Sequence, residues 1–107
     1  MKISISETNG ALVVAFEGDV DLEQSPKARK ELLAAVSKNA KVIVDLSSVA
    51  YIDSSGVASL VEAFQTARKN GGTFSLAAVS EAALRVLQLA RLDKIFSIFA
   101  TVEEAAA

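Results

Sequence analysis

The chain opens on an alternation in which Ile3 and Ile5 are interleaved with Lys2, Ser4 and Ser6, the period of a strand with one face against a core. Glu7-Thr8-Asn9-Gly10 interrupts it, and Leu12, Val14 and Phe16 resume it on the far side. An Asn-Gly pair between two such runs signals a two-residue turn, so residues 2 to 17 are expected to form a β-hairpin. Gly18-Asp19-Val20-Asp21 then reads as a loop, because Gly and Asp favour turns. Ser25-Pro26 predicts a helix start, with serine as N-cap and proline at the first helical position. Ala28, Leu32, Leu33 and Val36 give that helix an apolar face, and Lys27, Arg29, Lys30 and Glu31 a solvated one.

Val42-Ile43-Val44 breaks the alternation with a continuous β-branched run, as in a strand covered on both faces. This segment is the expected centre of a sheet. Ser47, Ser48, Val49, Tyr51 and Ile52 lead from it into Asp53-Ser54-Ser55-Gly56. A second helix follows at once, with Val57, Leu60, Val61, Phe64 and Ala67 at helical spacing and Gly71-Gly72 as its stop. Phe74 to Ala77 reads as another strand, and Ser80 as the cap of a third helix. That helix carries Ala83, Leu84, Val86, Leu87, Leu89 and Ala90, an apolar arc wider than one buried face requires. Either the C-terminal segment covers the excess, or it is a surface for a partner or for self-association. Ile95, Phe96, Ile98 and Phe99 form an expected final strand, and Thr101-Val102-Glu103-Glu104 has the capping-box pattern of a last helical turn, with Ala105 to Ala107 free to fray. A hairpin followed by helix, strand, helix, strand, helix and strand predicts one α/β domain over residues 1–107. Its sheet is mixed, and right-handed crossovers put the helices mainly on one side.

Composition narrows the function. Apolar residues make up 51% of the 107 and aromatic ones only 6%, so the core is aliphatic. The chain has neither cysteine nor histidine. That removes disulfides, thiol chemistry, the usual neutral-pH general base and every His-dependent triad. No Gly-x-Ser-x-Gly elbow, P-loop or Rossmann glycine pattern is present, so the expectation is a protein that is not an enzyme and uses no cofactor. Asp19 and Asp21 lack the regular oxygen-ligand spacing of a hard-cation site, so no metal is expected. Eleven basic residues, scattered among thirteen acidic ones, give a net charge of −2, which argues against nucleic acid as a partner. MKISISETNG has no apolar core segment, so neither a signal peptide nor membrane insertion is expected, and the expected compartment is the cytoplasm.

The remaining chemistry lies in Asp53-Ser54-Ser55-Gly56. Read locally, these residues cap the second helix. They also put a serine hydroxyl at a helix N-terminus, where a phosphoryl group would bring about −1.5 to −2 of charge beside Asp53. The run Asp45-Leu46-Ser47, Val49, Ile52-Asp53-Ser54-Ser55-Gly56-Val57 resembles the signature of the STAS domain, in particular that of bacterial anti-sigma-factor antagonists. The resemblance implies a four- to five-stranded sheet with about four helices. It implies Ser54 as the residue phosphorylated by a partner kinase, ahead of its neighbour Ser55. It further implies a partner-binding surface of Asp19, Asp21, Asp53, Ser54, Ser55 and Gly56. Asp19 stands where the family more often has glutamate. The implied partner is an anti-sigma factor with serine kinase activity, bound when the antagonist is dephosphorylated, with a phosphatase to reset it. The other role the resemblance allows is an accessory subunit bound constitutively to the ATPase of an ABC-type lipid transporter.

Overall fold

In the computed structural model, which describes residues 1–107, the hairpin forms as the alternation predicts. Strands β1 (Lys2–Thr8) and β2 (Ala11–Val20) pair antiparallel around Asn9 and Gly10. Both turn residues have positive φ, 50° and 82°, the backbone that the tight hairpin turn requires and that Asn and Gly accept most readily. Helix and strand then alternate through α1 (Ser25–Lys38), β3 (Lys41–Ile52), α2 (Ser54–Lys69), β4 (Thr73–Ala77), α3 (Glu81–Leu89), β5 (Ser97–Phe99) and α4 (Val102–Ala106). The sheet order is β1-β2-β3-β4-β5, and every pairing after the hairpin is parallel.

Val42, Ile43 and Val44 lie at the centre of the sheet and are at most 1% exposed. Val42 and Val44 face the larger core, where Val14, Phe16, Phe74 and Leu76 of the sheet meet Leu32, Leu60 and Leu87 of α1, α2 and α3. Each such leucine contributes about 1.5–3 kcal/mol by leaving water. Phe96 closes the end of this core, edge to face with Phe64 at 5.4 Å between ring centroids. Ile43 faces the other side, where Ala11, Val13 and Ala77 are covered by Ala105 and Ala106 of α4.

Four local expectations are corrected. Gly18, Asp19 and Val20 are not a loop: they continue β2, paired to Val49, Tyr51 and Ile52, through register shifts that Gly18 accommodates at φ 97°. Ser25 does not cap α1. Gln24 holds that position without a side-chain bond, and the Ser25 hydroxyl donates to Leu22 O at 3.3 Å. Ile95 and Phe96 precede the last strand instead of belonging to it. Ala105 and Ala106 are not a fraying end, since they lie in α4 at 5% and 4% exposure against the sheet, and Ala107 alone is exposed beyond it. Because α4 sits on the face opposite α3, it leaves the wide arc of α3 uncovered, with Leu89 81% exposed.

One asymmetry positions the site. Strand β3 pairs with β4 only over Lys41 to Asp45, but with β2 as far as Ile52. The ends of β2 and β3 therefore project past β4 as a two-stranded ribbon. Ser80 braces it, with N–H to Leu46 O at 3.2 Å and hydroxyl to Val49 O at 2.8 Å. No helix is long and apolar enough to cross a membrane.

Candidate functional site

The site is built at the tip of that ribbon, where β3 turns into α2. Asp53 is the N-cap, in extended backbone at φ −109° and ψ −175°, and its carboxylate has a separate task for each oxygen. Oδ1 accepts from Ser55 N at 3.0 Å, Gly56 N at 3.1 Å and Ser55 Oγ at 2.5 Å. Oδ2 accepts from Leu22 N at 2.9 Å, a bond between residues 31 apart in sequence. Asp53 N–H donates back to Val20 O at 3.3 Å. A single aspartate thus terminates the helix and ties it to the turn after β2. The Ser55 hydroxyl, followed by the Gly56, Leu22 and Ser55 amides, holds the Asp53 carboxyl below its ordinary value of 3.8, with burial opposing.

The two serines differ. Ser55 is half-buried and its hydroxyl is spent on Asp53. Ser54, the first helical residue, is exposed and stands outside the cap's hydrogen bonds. Gly56 is buried for a steric reason, because a Cβ there would lie 2.5 Å from Val20 O and 2.8 Å from Ile52 Cγ1. The glycine lets α2 begin directly against the end of β2.

Of the residues singled out in the sequence, Asp53, Ser54, Ser55 and Gly56 form the start of α2, and the backbone of Val20 and Leu22 joins them. Asp21 is half-buried and stabilises its own turn, its Oδ1 accepting from Gln24 N at 3.0 Å. Asp19 is exposed at the register position opposite Tyr51, on the strand leading into Asp53. With Glu17 and Glu23, residues 17–26 and 50–56 hold five carboxylates and no lysine or arginine. Sequence reasoning missed Glu17 and Glu23, which a count of charge along the chain would have found. It also missed Leu22, 74% exposed, and Tyr51, 52% exposed. Nothing local in the sequence marks the Leu22 amide. An open groove of about 310 Å³ lies beside the site between α1 and α2. Its Arg29 is held by Glu62, at 2.6 Å from Nε and 2.8 Å from Nη2.

A mixed five-stranded sheet with four helices, its motif serine presented where the central strand meets a helix, defines a STAS-like α/β domain. The STAS domain family model matches residues 2–105, and the chain belongs to that family. It is 26% identical to the anti-sigma-B factor antagonist of Bacillus subtilis over 103 residues, covering 96% of this chain and 94% of that one. The crystal structure of an anti-sigma factor antagonist from Mycobacterium paratuberculosis superposes with a TM-score of 0.88 at 26% identity, over 97% of this chain and 89% of the other. The unphosphorylated form of the antagonist SpoIIAA shares the fold, with a TM-score of 0.80 at 22% identity over 97% and 92% of the two chains.

Proposed function

We propose that this chain is an anti-sigma-factor antagonist switched by phosphorylation of Ser54. The observation that carries the reading is the division of labour at the start of α2: Asp53 caps the helix and occupies Ser55, leaving the Ser54 hydroxyl exposed. A kinase can reach it without unfolding the helix. In the transfer, Ser54 Oγ forms a bond to the terminal phosphorus of ATP held by the partner, the bond from that phosphorus to ADP breaks, and the hydroxyl proton passes to a base on the partner. The chain itself contributes no catalysis and acts as a binding surface in the cytoplasm. A phosphatase restores the hydroxyl.

Dephosphorylated, the surface of Asp19, Asp21, Asp53, Ser54, Ser55 and Gly56 docks onto an anti-sigma factor with serine kinase activity and frees its sigma factor. Phosphorylated, it does not, because a dianion on Ser54 would have to be desolvated among existing carboxylates. The names of the relatives support this regulatory reading over a transporter subunit. The test is intact-mass analysis of the protein from its own cells with peptide mapping of residues 42–68, followed by calorimetry against the anti-sigma factor of the same organism. A phosphate on Ser54 is expected, with binding retained by Ser54→Ala and weakened by Ser54→Asp. A chain that is never modified, or a Ser54→Asp variant of undiminished affinity, would sink the proposal.

A further inference from the structure

We propose that Asp53 is a positioning residue through which the chemical state of Ser54 sets the order of the turn between β2 and α1; this rests on Ser54 being the switch residue. The geometry is that of a latch. Asp53 Oδ1 holds the helix start, and Oδ2, at 2.9 Å, holds the Leu22 amide. The turn has little else to fix it to α2. The Leu22 side chain is 74% exposed and anchors nothing in the core. The turn's other bonds, Gln24 N to Asp21 O and Oδ1, Ser25 N to Asp21 O and Ser25 Oγ to Leu22 O, are internal to it or to the start of α1, and the further tie to α2 is a long bond from the Ser59 hydroxyl to Ser25 O at 3.4 Å. Upstream, the only backbone link to α2's cap is Asp53 N to Val20 O, at 3.3 Å.

A phosphoryl group on Ser54 enters at the first helical position, beside the amides that Asp53 now holds. Phosphate is the stronger acceptor, and it carries up to twice the charge of the carboxylate. Both anions seek the same positive helix end, and they repel each other. Residues 17–26 and 50–56 carry no cation; Lys27 follows on the exposed first turn of α1, and Arg29 in the neighbouring groove is engaged by Glu62. Asp53 therefore yields the cap to the phosphate and rotates away. Since both oxygens belong to one rigid carboxylate, losing the cap also releases Leu22. Phosphorylation then acts twice: it adds charge to the docking surface, and it loosens the turn that carries Asp21 and Glu23.

The experiment places phosphoserine at position 54 during translation, without a kinase, and follows amide hydrogen exchange by NMR in the full chain. The Leu22 amide is expected to exchange at least about tenfold faster than in the unmodified protein, while Val42 to Val44 keep their protection. Asp53→Asn is the control. Its single carbonyl oxygen still caps a helix but cannot serve Leu22 as well, so Leu22 is expected to exchange fast from the outset and phosphoserine to add nothing. Unchanged Leu22 protection on phosphoserine incorporation would overturn the proposal, and so would an equal acceleration in the Asp53→Asn background. Should Asp53→Asn fail to fold, the comparison of modified and unmodified wild type decides alone. Because no kinase takes part, this outcome is independent of whether Ser54 is modified in cells, which mass analysis decides separately.

Discussion

The starts of α1 and α2 lie side by side, and both carry serines, yet only one offers a free hydroxyl. At α1 the backbone does most of the work: Asp21 O accepts from Gln24 N and Ser25 N at 3.1 and 2.8 Å, Asp21 Oδ1 adds a bond to Gln24 N at 3.0 Å, the cap residue Gln24 contributes no side-chain bond, and Pro26 has no amide to satisfy. Ser25 is folded into this arrangement, 8% exposed, its hydroxyl bonded to Leu22 O. At α2 a carboxylate takes over the capping. Delegating the cap to Asp53 frees Ser54, which stays exposed at the rim. Freedom from capping is therefore not enough to offer a helix-start serine for modification: neither Ser25 nor Ser54 caps its helix, yet Ser25 is buried and bonded to Leu22 O while Ser54 is exposed.

The strongest blow to this contrast should come from Gly56→Ala. Its methyl group would meet the Val20 carbonyl, backbone that cannot move aside cheaply, so α2 is pushed from β2 and stability falls by about 1–3 kcal/mol, measurable by urea unfolding. Ser25→Ala should cost less, about 0.5–1.5 kcal/mol for one hydrogen bond, and calorimetric unfolding should register it as a modest drop in Tm. Asp53→Asn sharpens the comparison through pH. The Asp53 carboxyl is held below 3.8 in the folded chain, so its contribution to stability is fully present above the unfolded value and is lost as pH falls through the folded one. Glu62, lowered by its bond to Arg29, acts in the same direction. Acid titrations of stability should thus show a shallower loss in Asp53→Asn than in wild type, the remaining slope belonging to Glu62 among others. Smallest of all, Ser54→Ala should change unfolding stability by no more than about 0.5 kcal/mol; a larger loss would mean that Ser54 shares in the cap after all.

Much of this was legible in the residues, and the misses share a cause. Val42 to Val44, the Asn9-Gly10 turn and the helical spacing from Val57 to Ala67 each state their structure within a few neighbours, and each forms as expected. The motif located the start of α2. It did not reveal that the aspartate, and neither serine, makes the cap, because local chemistry allows all three to do so. Gly18 to Val20 has the composition of a loop, but its partners Val49, Tyr51 and Ile52, distant in sequence, hold it as strand. The bond from Leu22 N to Asp53 links a backbone group, which has no letter of its own, to a distant side chain. For the same reason α4 could not be placed: Ala105 and Ala106 look like a fraying end until the alanine-lined far face of the sheet is there to receive them.

The ribbon that β2 and β3 extend beyond β4 makes the end that carries the proposed docking surface an overhang. Its free tip carries Asp19, Leu22, Tyr51 and Ser54 in the open, while the beam is clamped by Val42 and Val44 in a core those tip residues do not enter. Because Val20, Val49 and Ile52 of the ribbon belong to the same core as Val42 and Val44, it is the exposed side chains of the tip that can change without disturbing the clamp. Duplicated copies of such a chain could diverge in whom they address by altering a few exposed side chains there, each copy keeping the same foundations. That is a route by which parallel signalling lines can be insulated from one another on a single scaffold.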